Sequence, residues 1–89
     1  MYFVYMIGNA DGKLYVGVSQ NPDARLRHHN SDRGSRFTKS SQSFNTVFTE
    51  EYATLAKARK REVQIKKWRR DKKEMLMRRY AAGLPTVLQ

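Results

Sequence analysis

The sequence contains no cysteine, which excludes disulfide bonds and every metal site built on thiolates, zinc fingers among them. A metal would have to be held by oxygen ligands or by the two histidines. No apolar run approaches the roughly 20 residues of a membrane helix. The first five residues also lack the charged and then apolar layout of a signal peptide. These absences predict a soluble protein of the cytoplasm.

Acidic residues are scarce as well. The 89 residues hold 8 Asp and Glu against 18 Lys and Arg, so the formal net charge is +10. A chain of this length predicts one compact domain, residues 1–82, with a C-terminal tail, residues 83–89, and a monomer as the default state. The excess of positive charge predicts a polyanionic partner.

Nearly all of this charge lies in one segment. Residues 57–79 hold 12 basic and 3 acidic groups, a balance of +9, whereas residues 1–56 hold 6 and 5. Like charges at helical i, i+4 spacing, such as Lys57 with Arg61, repel each other unless a partner offsets them. A nucleic-acid backbone would do so. A solvated helix face and an anionic membrane surface are the alternatives, the second less suited because the segment has a narrow apolar face.

The pattern of residues predicts an α+β fold. Two β-branched and aromatic runs, 3–7 and 13–18, flank the Asp11-Gly12 turn signal and predict a hairpin. Asn21 and Pro22 predict the cap and first residue of a helix that runs to about His29. A polar loop follows over residues 35–43.

The second half of the sequence predicts a third strand over residues 44–52, although apolar and polar residues alternate imperfectly there. A long helix over residues 54–69 and a second helical segment from Asp71 to about Ala82 complete the chain. The order β-β-α-β-α-α favours a small three-stranded antiparallel sheet flanked by helices.

One carboxylate interrupts the apolar face of the long helix. Its core-facing arc consists of Leu55, Ala58, Ile65 and Trp68, and Glu62 lies within roughly 20° of the direction of Leu55. A carboxylate at such a position needs an ion pair with a neighbouring Lys or Arg, or a cation. Because Mg²⁺ often keeps its waters and shares one carboxylate with substrate phosphates, a single glutamate can serve as a metal ligand.

Four further side chains are candidates for the same chemistry. Arg25 and His29 lie four residues apart and share a helix face. Tyr5 and Tyr15 lie on facing strands, where cross-strand packing is the alternative explanation. Together with Glu62 they suit metal-assisted phosphodiester hydrolysis, which needs a water-positioning group, a cation for the developing charge and a metal.

The ordered set of motifs resembles the GIY-YIG endonuclease superfamily. It consists of Phe3-Val4-Tyr5, nine intervening residues, Tyr15-Val16-Gly17, then Arg25 and, on a later helix, Glu62. The stretch from residue 2 to 76 is similar to the small stand-alone bacterial branch. The resemblance implies a three-stranded antiparallel sheet with flanking helices and a site on its face.

The same resemblance implies roles for the five residues. Tyr5 and Tyr15 would be the motif tyrosines, one of which helps to activate water. Arg25 would stabilise the transition state, with His29 one turn later. Glu62 would hold a single Mg²⁺ or another divalent ion such as Mn²⁺.

These expectations lead to a Mg²⁺-dependent DNA endonuclease or nickase in DNA repair or processing. The basic residues expected to bind nucleic acid are Arg27, Lys39, Lys66, Lys67, Arg69 and Arg70. Two features depart from the family pattern. Val18 stands where some members carry a polar or basic residue, and 89 residues leave no room for the additional DNA-targeting domain that the family's established nucleases generally carry. A nucleic-acid-binding module with little catalysis, and a basic protein that docks on an acidic one, are the alternatives.

Overall fold

Three strands and three helices follow one another in the computed structural model, which describes residues 1–34 and 43–87, with the backbone alone for 32–34. The elements are β1 (Tyr2–Gly8), β2 (Leu14–Ser19), α1 (Pro22–Gly34), β3 (Asn45–Tyr52), α2 (Leu55–Lys67) and α3 (Arg70–Ala81). The predicted α+β class and order are confirmed. Within the described part of the chain, no helix combines the length and the apolar character needed to cross a bilayer.

The sheet has the order β2-β1-β3, and both pairings are antiparallel. The β1–β2 hairpin closes through Gly12, whose φ of 85° lies in the left-handed region that glycine adopts without strain. The Asn9 side chain supports the turn by accepting a hydrogen bond from the backbone N–H of Lys13 at 2.9 Å. The predicted hairpin is therefore confirmed, and β1 becomes the central strand.

Strand β3 contains a bulge that accounts for its imperfect alternation. Met6 lies opposite Phe48 and Ile7 lies opposite Thr46, so Val47 is an extra residue in the ladder. A bulge of this kind changes which residues face the core. Phe48 is buried and the neighbouring Val47 is half-buried against the same core.

Helix α1 begins as predicted but ends later. Asn21 caps it through its Oδ1, which accepts a hydrogen bond from the N–H of Ala24 at 3.1 Å. The predicted end near His29 is wrong, because the helix continues through Gly34. Asn30 does not terminate it: its side-chain amide donates to the carbonyl of Phe44 at 3.0 Å and accepts from the N–H of Phe44 at 2.8 Å. This clamp joins α1 to the start of β3.

Helix α2 is shorter than predicted. Thr54 caps it by accepting a hydrogen bond from the N–H of Lys57, and the helix ends at Lys67 rather than at 69. Trp68 and Arg69 are both extended, so the chain turns here before α3 begins. The boundary follows from packing, since the Trp68 ring lies against the core.

Helices α2 and α3 cover one face of the sheet. Alternate residues of a strand point to opposite faces, so Val4 and Met6 share a face that Tyr5 and Ile7 do not. The buried cluster consists of Val4, Met6, Phe48, Ala58, Ile65 and Leu76. Leu55 was predicted to join this core, but it is 42% exposed, because it lies in the first turn and at the edge of the apolar arc. The core therefore lies between β1 and the two C-terminal helices.

A buried carboxylate on β3 ties the C-terminal segment to this core. Glu50 accepts hydrogen bonds from Nε and Nη2 of Arg61, at 2.8 and 3.1 Å, and from the hydroxyl groups of Tyr52 and Thr86, at 2.8 and 2.6 Å. Arg61 also donates to the carbonyl of Thr86 at 3.1 Å. One residue from β3 and one from α2 thus hold the chain beyond α3 in place.

Burial raises the pKa of Glu50, but the hydrogen bonds from Arg61, Thr86 and Tyr52 and the charge of Arg61 outweigh it and hold the pKa below its usual 4.5. Burial and the Glu50 carboxylate also raise the pKa of Tyr52 to about 12. The phenol of Tyr52 therefore remains a donor at neutral pH.

The lowered pKa of Glu50 predicts an acid-sensitive contribution to stability. The contribution is complete above the unfolded value near 4.5 and is lost as pH falls through the folded value, because the unfolded chain binds the proton more readily. At neutral pH, Glu50→Gln leaves Arg61 buried without its carboxylate, and we expect it to lower the free energy of unfolding by about 3 kcal/mol. Denaturant titrations between about pH 3 and 7 measure both effects.

Glu51→Gln is the matched control, since Glu51 is the next residue and is exposed. It should leave both the stability and its pH dependence nearly unchanged. Equal acid sensitivity of the wild type and Glu50→Gln would contradict this assignment.

The Asn30 clamp predicts a second stability effect. In Asn30→Asp the carboxylate still accepts from the N–H of Phe44 but repels its carbonyl, so we expect a loss of about 1 to 3 kcal/mol. Chemical denaturation measures it, and Asn45→Asp, at an exposed asparagine, is the control. A loss no larger than that of the control would argue against the clamp.

Candidate functional site

The face of the sheet opposite the core carries a cleft beside α1. Its volume is about 490 Å³, and it is lined by Tyr5, Ile7, Tyr15, Val16, Arg25, His28 and His29. Tyr15 lies directly opposite Ile7 on the neighbouring strand, so Tyr5, Ile7 and Tyr15 share this face. Four of the five predicted catalytic residues therefore come together around one cavity.

The side chain of Tyr5 lies over the neighbouring strand, β2. Gly17 is its direct partner on β2, and a Cβ built on Gly17 would lie 2.6 Å from Oη and 2.8 Å from Cζ of Tyr5. Real Cβ atoms do not approach other atoms so closely, so a side chain here would displace the phenol ring. The glycine of the Tyr15-Val16-Gly17 motif thus makes room for the tyrosine of the other strand.

Three rings pack together on the α1 side of the cleft. The centroids of Tyr15 and His29 are 5.3 Å apart, those of Tyr15 and Phe44 are 5.4 Å apart, and those of His29 and Phe44 are 4.5 Å apart in an edge-to-face arrangement. Such arrangements are favourable for aromatic rings. Because Asn30 fixes the backbone of Phe44, the clamp described above also positions the ring against which Tyr15 and His29 pack.

Helix α1 contributes one cleft residue that the sequence analysis did not single out. His28 lines the cavity three residues after Arg25, a spacing that brings side chains to neighbouring positions on a helix. This spacing is visible in the sequence, but many surface residues of a helix are spaced in the same way. Its position becomes informative because the same cavity holds Tyr5 and Tyr15.

Glu62 is buried as predicted, but it belongs to the other side of the sheet. It is 6% exposed on α2, which packs against β1 and β2 through the core face, and it is not among the residues that line the cleft. Arg61 points to the C-terminal segment, and Glu62 lies one residue, about 100°, further around the helix. The carboxylate therefore lies on a different flank of α2 from the one that faces the C-terminal segment.

The predicted ion-pair partners of Glu62 are present. Nη1 of Arg59 lies 3.3 Å from Oε1 and Nζ of Lys66 lies 3.1 Å from Oε2 of Glu62. Both cations are mainly in solvent, with 61% and 55% of their side chains exposed. The Glu62 side chain itself is 8% exposed, so the carboxylate needs a cationic partner, which either these exposed side chains or another cation can supply.

The two buried carboxylates of the described residues differ in their capacity to bind a metal. Both oxygens of Glu50 are taken by short hydrogen bonds from three side chains, whereas Glu62 is held by two exposed cations alone. Among the described side chains, those of residues 1–31 and 43–87, no three His, Asp or Glu form a group that could enclose a metal. A site with one carboxylate, completed by water and substrate phosphate, fits Glu62 and not Glu50.

The predicted nucleic-acid-binding residues lie at several places. Arg27 is exposed on α1, Lys66 is paired with Glu62, and Arg70 is paired with Glu74 at 3.0 Å. Lys67 and Arg69 line a depression beside Trp68. Lys39 lies outside the described residues.

Val18 faces the core and not the cleft. It lies opposite Val4 and is half-buried against the apolar cluster. Its apolar character is therefore explained by packing against α2.

Comparisons of the sequence and of the structure with known proteins point to the same family. The family model described as the GIY-YIG catalytic domain matches residues 1–75. UPF0213 proteins of Staphylococcus aureus, from strains Mu3 and Mu50, are each 38% identical over 77 residues, which are 86% of this chain and 94% of theirs. The solution NMR structure of a UPF0213 protein of Bacillus halodurans is 31% identical, with a TM-score of 0.54, over 85% of this chain and 82% of that one.

The family match covers both strands of the hairpin, α1 and the helix that carries Glu62. The structural match extends over the same arrangement of sheet and helices. The chain therefore belongs to the GIY-YIG family and, within it, to the UPF0213 proteins.

Proposed function

We propose that this protein is a divalent-metal-dependent nuclease that hydrolyses phosphodiester bonds of DNA at the cleft beside α1. The observation that carries the proposal is the convergence of two tyrosines, an arginine and a histidine on one cavity of about 490 Å³. Membership of the GIY-YIG family supports a nuclease-type activity. Action as an endonuclease or nickase in repair or processing is part of the proposal.

Arg25 is the group best suited to the developing negative charge of the reacting phosphate. A guanidinium carries a positive charge and presents several hydrogen-bond donors, which suit the oxygens of a phosphorane. The phenol of Tyr5, fixed across Gly17, and that of Tyr15 are the candidates for orienting or deprotonating the attacking water. His29, packed against Tyr15, is a candidate for proton transfer at the same cavity.

Glu62 is the residue that would hold a Mg²⁺ or Mn²⁺ ion. A bound ion would supply Lewis-acid polarisation of a phosphate oxygen. The exposed side chains of Arg59 and Lys66 can move aside for the ion. Helix α2, which carries Glu62, contacts β2, and Tyr15 and Val16 of the same strand line the cleft on the opposite face of the sheet.

The basic side chains around α2 and α3 would bind the phosphate backbone without reading its sequence. Lys66, Lys67, Arg69 and Arg70 remain candidates for this role, together with Arg27 on α1. Such contacts make the affinity fall steeply with salt concentration.

Cleavage of labelled DNA by purified protein tests the proposal. We expect cleavage with Mg²⁺ or Mn²⁺ and none with chelator. Arg25→Ala should lower the rate by about 100-fold or more, because it removes a group aimed at developing charge. Glu62→Gln should abolish metal-dependent cleavage, while both variants keep the wild-type melting temperature.

Lys13→Ala and Glu51→Gln are the controls, since both side chains are exposed and lie outside the cleft. They should cleave at the wild-type rate. A preparation free of contaminating nucleases that cuts no branched, nicked or single-stranded DNA would overturn the proposal, as would equal cleavage by Arg25→Ala.

A nucleic-acid-binding module with little catalysis is the second candidate. The observation in its favour is that Glu62 already has two cationic partners and lies on the helix across the sheet from the cleft. In that case DNA binding would be salt-sensitive and would not change in Glu62→Gln, and no divalent ion would promote cleavage.

Gly17 offers a separate test of the position of Tyr5. In Gly17→Ala the new methyl group would collide with the phenol, so the ring must shift. We expect a loss of about 1 to 3 kcal/mol in stability together with a fall in the cleavage rate at least as large as that of Tyr5→Phe. Gln20→Ala, at the exposed residue that follows the same strand, is the control. Wild-type cleavage by Gly17→Ala would show that the position of the phenol does not matter.

A further inference from the structure

A basic groove runs between α2, α3 and the C-terminal segment. It consists of three adjoining depressions of about 350, 260 and 550 Å³. The first and second share Arg61 and Gln64, and the second and third share Trp68, Lys72 and Met75. The depressions thus form one continuous surface, called here the α2–α3 groove.

The charge of this groove is almost entirely positive. Seven Lys and Arg side chains line it, namely Lys57, Lys60, Arg61, Lys67, Arg69, Lys72 and Arg78, and Asp71 is the acidic side chain that the same depressions include. Arg61 is neutralised by Glu50. Of the ion pairs between described residues, none involves Lys57, Lys60 or Lys72. The net charge of the groove therefore remains available to an external anion.

Trp68 holds two of these cations in place. Cζ of Arg61 lies 5.1 Å and Nζ of Lys72 lies 4.5 Å from the ring centroid, both within the range of cation–π attraction. The ring also packs against the core. Trp68 therefore positions charge and leaves little ring surface for a stacked base, which favours contacts to phosphate over contacts to bases.

The groove and the cleft lie on different sides of the sheet. Tyr5 and Tyr15 point away from the core face, whereas α2 and α3 pack on it. The two shorter dimensions of the molecule are 26 and 23 Å. A nucleic-acid segment in the cleft would thus leave the groove uncovered, and a second segment could lie close to the first.

We infer that the α2–α3 groove is a second nucleic-acid-binding surface, which holds the phosphate backbone of one segment while the cleft holds another. The inference rests on the proposed function for the ligand of the cleft. The expected ligand is a nucleic acid in which two segments lie side by side. An acidic peptide is the other polyanion that the charge admits, but peptide recognition relies on buried aromatic anchors, and Trp68 is already engaged by Arg61 and Lys72.

The test compares two variants with the same change in net charge. Lys57→Gln with Lys60→Gln removes two charges from the groove, and Lys13→Glu lowers the net charge by two on the exposed hairpin. The salt dependence of duplex binding is measured by fluorescence anisotropy. Since each phosphate contact contributes about 0.9 to the slope of log affinity against log salt, the double variant should lose about one to two from that slope. Lys13→Glu should keep the wild-type slope.

Bridging of two duplexes gives the second measurement. A duplex on beads should retain a second, labelled duplex in the presence of wild-type protein and of Lys13→Glu, and several-fold less of it with the double variant. Melting temperatures of all three proteins must agree. The inference would be overturned if the double variant showed the wild-type salt slope and the wild-type amount of bridging. It would also be overturned if a poly-glutamate peptide competed more strongly than a duplex of equal charge.

Neither measurement depends on cleavage. Absence of cleavage with intact bridging would overturn the nuclease and leave the second surface standing. If the protein cleaves DNA but the double variant bridges duplexes as well as the wild type, the nuclease stands and the second surface is overturned.

Discussion

The alternation of side chains along β1 is the constraint on which the rest of the molecule depends. Because β1 is hydrogen-bonded on both sides, its register with β2 and β3 leaves Val4 and Met6 on one face and Tyr5 and Ile7 on the other. The first pair anchors the core with α2 and α3. The second pair forms the floor of the cleft. The candidate catalytic tyrosine is thus held by the same strand that holds the core.

The buried carboxylates Glu50 and Glu62 have different kinds of ionic partner. Glu50 neutralises Arg61 inside the protein, in a network that also fixes Tyr52 and Thr86. Glu62 instead meets exposed cations on a different flank of α2. One buried carboxylate therefore stabilises the fold and the other remains able to change its partner. The remaining positive charge points outward, toward the α2–α3 groove on one flank and the surroundings of Glu62 on the other.

Local patterns predicted much of this arrangement. The hairpin, the Asn21 cap, the third strand and the two C-terminal helices follow from spacing and turn chemistry, and the burial of Glu62 follows from its helical phase relative to Ala58 and Ile65. The errors occur where a distant contact overrides a local preference. Asn30 favours a helix end by itself, yet its bonds to Phe44, fourteen residues away, keep it inside α1. Trp68 ends α2 early because its ring packs on the core.

The sequence by itself determined the elements, the excess of charge in residues 57–79 and the identity of the candidate side chains, because these depend on spacing along the chain. Only the tertiary structure decided that Tyr5, Tyr15, Arg25 and His29 share a cavity, that Glu62 lies on a helix across the sheet, and that the basic residues line a continuous groove. The reason is that faces of a sheet are assigned by register between strands and by the path of the connections. Neither is encoded in any local window of residues.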